Sequence, residues 1–508
     1  MKRKLGMMVA SAAVAVGLMI PAGSATAQNA TTAYSTKFST AITYQNISTE
    51  QANVRIQLFA DGSGSPITVD LSPLAAGAGT SVAIGSLSAN GLSDGFQGGA
   101  VMSSDQPIVA TMVQVPVQSN MVTRPLSNGF SPDSGAASVL LATILKNSFN
   151  QTSKFSVQNV DSSPADVKIE FFDATSTPPG AKIDAATINI SALPAGSVKL
   201  FDAGTIPGLP DSFNGSAIVT STRTGSSAPG RMVATVIELS TIGLTGNAFE
   251  GITQGGTKIF MPSAQCQAFS QESAYAVQNT STTASTNIRV TYQARPENSD
   301  PDTTPLTTYV DTFENLGPGA KRSFFGCTVM PAGYFGSAVI ESVDSSGNPN
   351  TAAPIVAIGK IVGAGLNSAS PGVASGASKL ALPYVRFAND AGFFAGSQRA
   401  SIAIQNVGSD LPAGAVKVTY YDKNGAVVGT HTLGAIPANA KVNSNPTMAT
   451  PASPPPSSGT TLDNFGFYPD GTFGGSAVVE GPAGSQLVAV VRIISPGAGE
   501  DYNGIPIP

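Results

Sequence analysis

FNGSAIV (213–219) is one of four near copies in the chain, beside FQGGAVM (96–102), YFGSAVI (334–340) and FGGSAVV (473–479). Each reads aromatic, any residue, Gly, Gly or Ser, Ala, then two apolar residues. Searching outward finds companions in constant order. Upstream stands an apolar residue followed by Gln-Asn, at Gln45-Asn46, Gln158-Asn159, Gln278-Asn279 and Gln405-Asn406. Next come an alternating segment (VRIQL, VKIEF, IRVTY, VKVTY) and a Pro/Gly turn (LAAGAG, LPAGSV, LGPGAK, IPANAK). After the aromatic-Gly motif each copy closes with an apolar run: PIVATMVQV, RMVATVIEL, PIVAIGKIV, QLVAVVRII. Four anchors in fixed order are tandem copies of one unit.

The alternating segments give the fold class. Val54, Ile56 and Leu58 point one way and Arg55 and Gln57 the other, as do Val167, Ile169 and Phe171 against Lys168 and Glu170. That is the period of a strand with one buried and one wet face. A cation recurs at the first wet position (Arg55, Lys168, Arg289, Lys417), where it keeps solvated strands from pairing edge to edge. With Gly/Pro/Asn punctuation and no sustained 3.6-residue period, the expectation is all-β: four tandem immunoglobulin-like antiparallel sandwiches of about seven strands each, nearly free of helix. The Gln-Asn pairs are 113, 120 and 127 residues apart, too far for solenoid repeats, so each copy is expected to own a core. The units are 34–130, 137–252, 258–373 and 379–508, the last with a Pro-rich insertion, 445–463, expected as an exposed loop. Short Gly/Ser/Pro joints predict a semi-extended chain.

Two anchor sets read as fold determinants. Gly98, Gly215, Gly336 and Gly475 let the backbone bend or approach a neighbour after an aromatic that plugs the end of the sandwich. Asn46, Asn159, Asn279 and Asn406 suit a turn, by tolerating left-handed backbone and capping local amides.

The N-terminus has a basic Lys2-Arg3-Lys4, an apolar run, and Ala25-Thr26-Ala27 before Gln28, which reads as a signal peptide, 1–27. The expected location is extracellular or at the cell surface, with no membrane insertion after cleavage. A net charge of −5 with only 11% charged residues gives no reason to expect nucleic acid. In an exported chain Cys266 and Cys327 read as a disulfide, worth about 4 kcal/mol in the chain-entropy model, with two buried thiols as the alternative.

Catalytic chemistry is looked for and not found, so no enzyme and no cofactor are expected. The single histidine, His431, sits in a strand without a Cys or acidic cluster and reads as a solvated side chain. Gly91-Leu92-Ser93-Asp94-Gly95 has the spacing of a hydrolase elbow but precedes a strand, so Ser93 reads as a turn residue. Asp133-Ser134-Gly135 lacks a second copy, and the acidic turns at Asp422, Asn298 and Asp344 lack the spacing of a calcium loop.

A signal segment, four tandem sandwiches and no catalytic set together resemble the modular immunoglobulin-like repeat proteins that bacteria export to the cell surface. The resemblance spans Tyr34 to Pro508 and is architectural. It implies a structural component of a surface layer, sheath or filament, whose partners are copies of itself or other cell-envelope components. The alternative is an adhesin or carbohydrate-binding protein with a glycan partner, seated on Tyr420, Tyr421, Phe465, Phe467 and Tyr468 of unit four.

Overall fold

The computed structural model describes residues 37–508 apart from 118–123, 177–179, 241–244, 300–303, 364, 389–397, 471 and 496–497. The expected signal peptide lies outside the described residues. The fold is nearly all β, in antiparallel sheets packed as sandwiches. Helix among the described residues is confined to short 3-10 turns, the longest Ile84–Asn90.

One sheet plan recurs in all four units. The Gln-Asn strands (Phe38–Asn46, Gln151–Asn159, Gln271–Asn279, Gln398–Asn406) lie between the strand after the Pro/Gly turn (Gly79–Ala83, Val198–Asp202, Lys321–Phe325, Lys441–Ser444) and the closing strand (Ile108–Pro116, Met232–Ser240, Ile355–Gly363, Leu487–Ser495). A trailing strand follows each closing strand: Leu126–Asn128, Gly246–Glu250, Leu366–Pro371 and Ala498–Asn503. In the second layer the alternating strands (Val54–Ala60, Ala165–Asp173, Thr286–Pro296, Lys417–Asp422) pair with the motif strands (Gly98–Ser104, Phe213–Arg223, Tyr334–Val343, Gly475–Glu480). Units two to four add a leading strand on the far side of the motif strand: Ser138–Lys146, Lys258–Ala268 and Lys379–Leu382. In unit three that strand runs from one layer into the other and joins eight strands into one sheet.

Alternation is as read. Val54, Ile56 and Leu58 are buried while Arg55 and Gln57 between them are exposed or half-buried, and three of the four recurring cations are tied down on the wet face. Arg55 pairs with Asp70 at 2.6 Å, Lys168 with Glu170 at 2.6 Å and Arg289 with Glu341 at 2.8 Å, while Lys417 is exposed opposite Glu480.

The glycines answer to sterics. A Cβ on Gly98, Gly215 or Gly336 would lie 1.9, 2.1 or 1.8 Å from the carbonyl oxygen of Phe59, Phe172 or Gln293, so no side chain fits where the motif strand crosses its neighbour. The aromatic plug holds fully for Phe213, which is buried, and partly for Phe96 and Tyr334. In unit four Phe473 is 36% exposed, and the plug is Phe465, arriving from just beyond the insertion against Gly475. The insertion is mostly exposed but pinned by buried Ala449, Thr460 and Leu462.

The asparagines are not left-handed turn residues: all four end strands in ordinary backbone and are fully buried. The Nδ2 of Asn279 donates to the carbonyls of Ala284, Leu316 and Gly317 at 2.8, 3.0 and 3.0 Å, and its Oδ1 accepts from Ser281 N at 3.0 Å. Asn159 repeats the pattern with Ser163, Leu193, Pro194 and Asp161, as do Asn46 and Asn406 with their own loops. Local capping was legible. The clamp on a turn 28 to 38 residues away was not.

Cys266 and Cys327 form the expected disulfide, with Cα atoms 4.7 Å apart.

Two expectations fail. The chain is not semi-extended: unit four packs on unit one, with Gly425 so close to the 76–78 backbone that a Cβ would lie 2.4 Å from the Ala76 oxygen. Nor does each unit own its core. Ala276, Val356, Ile358 and Ala369 of unit three belong to the apolar cluster of unit two, and Val113 and Leu126 of unit one to that of unit four. The closing strands of units three and four are buried on both faces, so separating the units would leave their apolar surface in water.

Asn279→Ala should lower stability by about 1–3 kcal/mol, since it removes the buried donor that three loop carbonyls share, read as a lower denaturant midpoint. An unchanged midpoint would show that the clamp contributes nothing.

Candidate functional site: the joints between units

The recurring motifs meet at the joints. The turn of each unit carries one residue of positive φ, Gly77, Gly196, Gly319 and Asn439. Its carbonyl accepts from the Gln of the same unit: Gln45 at 3.4 Å, Gln158 at 3.0 Å, Gln278 at 3.5 Å and Gln405 at 3.1 Å. The turn, so held, docks on the aromatic-Gly motif of the preceding unit. Ser216 Oγ donates to the Gly319 carbonyl at 2.9 Å, and Ser337 Oγ to the Asn439 carbonyl at 2.8 Å. In units two and three the serine that reads as merely small in the sequence is a connector between units.

The residue opposite the Gln, just after the turn, is Gly79, Val198, Lys321 or Lys441. Each meets a complementary surface on the unit before. Val198 packs on Gly99 where the Phe59 ring also lies against Gly196; Asp61 there pairs with Lys199 at 3.2 Å and accepts from Leu200 N at 3.0 Å. Lys321 donates to Asn214 Oδ1 at 2.6 Å. The Lys441 ammonium sits 5.1 Å from the centre of the Phe335 ring. At the joint from unit four to unit one, two glycines meet: a Cβ on Gly474 would lie 3.2 Å from the Gly79 oxygen. The four joints close a ring.

Trailing strands form the hub, adjoining one another in the cyclic order of the units. Asn128 N donates to Glu250 Oε1, Asn247 Nδ2 to Asn367 Oδ1 at 3.0 Å, Ser368 Oγ to Asp501 Oδ2 at 2.8 Å, and Asn128 Nδ2 to Asn503 O at 2.8 Å. Ion pairs reinforce it: Lys360 with Glu238 at 2.5 Å joins units three and two, and Arg124 with Glu500 at 2.8 Å joins units one and four. Desolvation raises the Glu250 and Glu500 carboxyls to about 7, the latter even beside Arg124. Removing one partner of such a buried pair would leave an uncompensated charge in the hub.

The residues singled out for chemistry are not brought together. Ser93 is exposed in a turn, and Asp133 lies in the 3-10 turn Pro132–Ser134. His431 is not the solvated side chain expected: it is half-buried, and Nδ1 lies 2.8 Å from Ser444 Oγ, which also bonds the Tyr420 hydroxyl at 2.8 Å. Ser444 is fully buried, so no substrate reaches its hydroxyl. Asp344 and Asp422 spend carboxylate oxygens on amides of their own turns, and among the described residues no three His, Cys, Asp or Glu side chains cluster as metal ligands. Of the five aromatics expected to seat a glycan, Tyr420, Phe465, Phe467 and Tyr468 are buried and Tyr421 alone is half-buried, so they do not form a shared exposed platform.

No protein-family model matches the chain, and no curated protein matches it.

Burial, with Arg492 and Arg295 near, pushes the Lys441 ammonium down to about 7 from 10.5. The folded state therefore binds fewer protons than the unfolded chain between those values, and the cost of burying Lys441 is full below pH 7 and fades as pH rises towards 10.5. Lys441→Met should raise the melting temperature at pH 6, with the gain shrinking by about pH 10. A gain independent of pH would contradict the assignment.

Proposed function

We propose that the protein is a non-enzymatic, exported structural component of the cell surface or extracellular matrix, such as a surface layer, sheath or filament subunit. Its four units are immunoglobulin-like sandwiches, and it acts by self-association. The observation that carries the reading is an edge. Among the described residues the motif strand of unit one, Gly98–Ser104, pairs with Val54–Ala60 and has no strand on its other side, where units two to four place a leading strand. Ala100, Val101 and Met102 are accordingly half-buried, while their counterparts Ala217, Ile218 and Val219 are buried.

An unpaired strand edge is a template for an extended segment of another chain. The occupant proposed is a strand of a second copy: of the four motif strands this is the one with no strand on its far side among the described residues, and its apolar residues Ala100, Val101 and Met102 are left half-buried there. The signal-peptide reading puts such assembly outside the cytoplasm, and the burial of Ser444, the hydroxyl bonded to the single histidine, favours a role without catalysis.

Val101 shares the wet face with Gln57, so Val101→Lys places a charge beside the open edge without entering the core. Light scattering of the protein from Gln28 onward should show mass rising with concentration, and Val101→Lys should abolish the rise while leaving the circular dichroism unchanged. A wild-type protein that stays a single copy at every concentration would overturn the reading.

A further inference from the structure

At one joint the contact that locks the two units is also a pair of groups able to react with each other. Lys321 is 4% exposed, and its Nζ lies 2.6 Å from Asn214 Oδ1, in the variable position of the unit-two motif. The same Nζ lies 3.2 Å from Thr143 Oγ1, and that hydroxyl donates to Glu238 Oε1 at 3.3 Å. Glu238 is fully buried, and its other oxygen is held by Lys360 at 2.5 Å. An amine, a carboxamide and a carboxylate reached through one hydroxyl are thus fixed in a water-poor seam between two units.

Elsewhere in the ring the position is inert. Val198 and Gly79 have no amine, and Lys441 faces the ring of Phe335 rather than a carboxamide. Burial, together with the charge of Lys360, pushes the Lys321 amine down to about 7, so an appreciable fraction is unprotonated and nucleophilic at neutral pH.

We propose that Lys321 and Asn214 join in an amide cross-link between units two and three, formed by the protein on itself with loss of ammonia. The Nζ lone pair attacks Cγ of Asn214, and the carbonyl π electrons move to Oδ1. On collapse the C–O double bond re-forms and the Cγ–Nδ2 bond breaks. Of the two protons on the neutral amine, one stays in the new amide. Glu238, through the Thr143 hydroxyl, takes the other from Nζ and gives it up as Nδ2 departs as ammonia. No oxidant or co-substrate enters. Preorganisation stands in for an enzyme: both groups are held by packed strands, and effective molarities of about 10⁵ M or more are known for such intramolecular pairs. Lys321 and Asn214 are the reacting groups, while Thr143 and Glu238 move the proton.

The test is the intact mass of the wild-type mature protein, denatured and reduced. The expected mass is that of the sequence less one ammonia. A tryptic digest should contain a branched peptide joining the segments around Asn214 and Lys321, with no cleavage after Lys321. Lys321→Arg should restore the full mass. Glu238→Gln should slow or abolish the loss of ammonia while leaving the far-ultraviolet circular dichroism unchanged. A wild-type protein of full mass, with Lys321 cleaved by trypsin, would overturn the proposal. So would conversion of Asn214 to aspartate, the competing fate of an Asn-Gly pair, which leaves the two segments unjoined. Because the wild-type mass decides, no variant needs to fold for the proposal to fail.

Discussion

The buried carboxamide at the end of each Gln-Asn strand is the constraint on which the rest depends. An asparagine with no exposed surface must satisfy two donors and an acceptor inside its unit, and only the loop after it and the distant Pro/Gly turn offer partners. Its position therefore fixes the turn. The neighbouring Gln then reaches the carbonyl of the one residue there with positive φ, and presents that carbonyl to the unit before. A change inside one unit would be felt at the joint because the same few atoms hold both.

From that turn the ring follows by repetition. Each joint is heterologous, motif against turn, and a heterologous contact generates either an open array or a closed ring according to its rotation. Here four steps close, and the trailing strands meet at the centre in buried ion pairs and amide contacts. Sequence differences among the units are then size matching: glycine against glycine, valine on glycine, lysine on asparagine, lysine on phenylalanine. Such pairing gives every joint a different lock, which opposes misassembly of similar units in one chain.

Strand identity, phase and order were legible because alternation with period two is a local property, as Val54-Arg55-Ile56-Gln57-Leu58 shows. The crowding at Gly98, Gly215 and Gly336 was legible in kind, since a glycine repeated beside an aromatic implies close approach. Closure was not, although a signal existed. The closing strand Leu487–Ser495 is buried along nearly its whole length, on both faces, and its run LVAVVRII lacks the alternation of a half-wet sheet. A continuous apolar run in a sandwich means a second covering layer, here another unit. What no local pattern could reveal is which residue fills a distant place. Phe465 plugs the unit-four sandwich instead of Phe473, and Lys321 finds Asn214 across 107 residues.

The central claim is that unit four returns to unit one. Small-angle X-ray scattering of the monomeric mature protein tests it most directly, because a closed ring and a chain of beads differ in every dimension. The account predicts a compact particle, with a radius of gyration near the roughly 23 Å of a globular chain of about 480 residues, and a distance distribution that falls smoothly to zero. A radius far above that value, with the long tail of a rod, would contradict it.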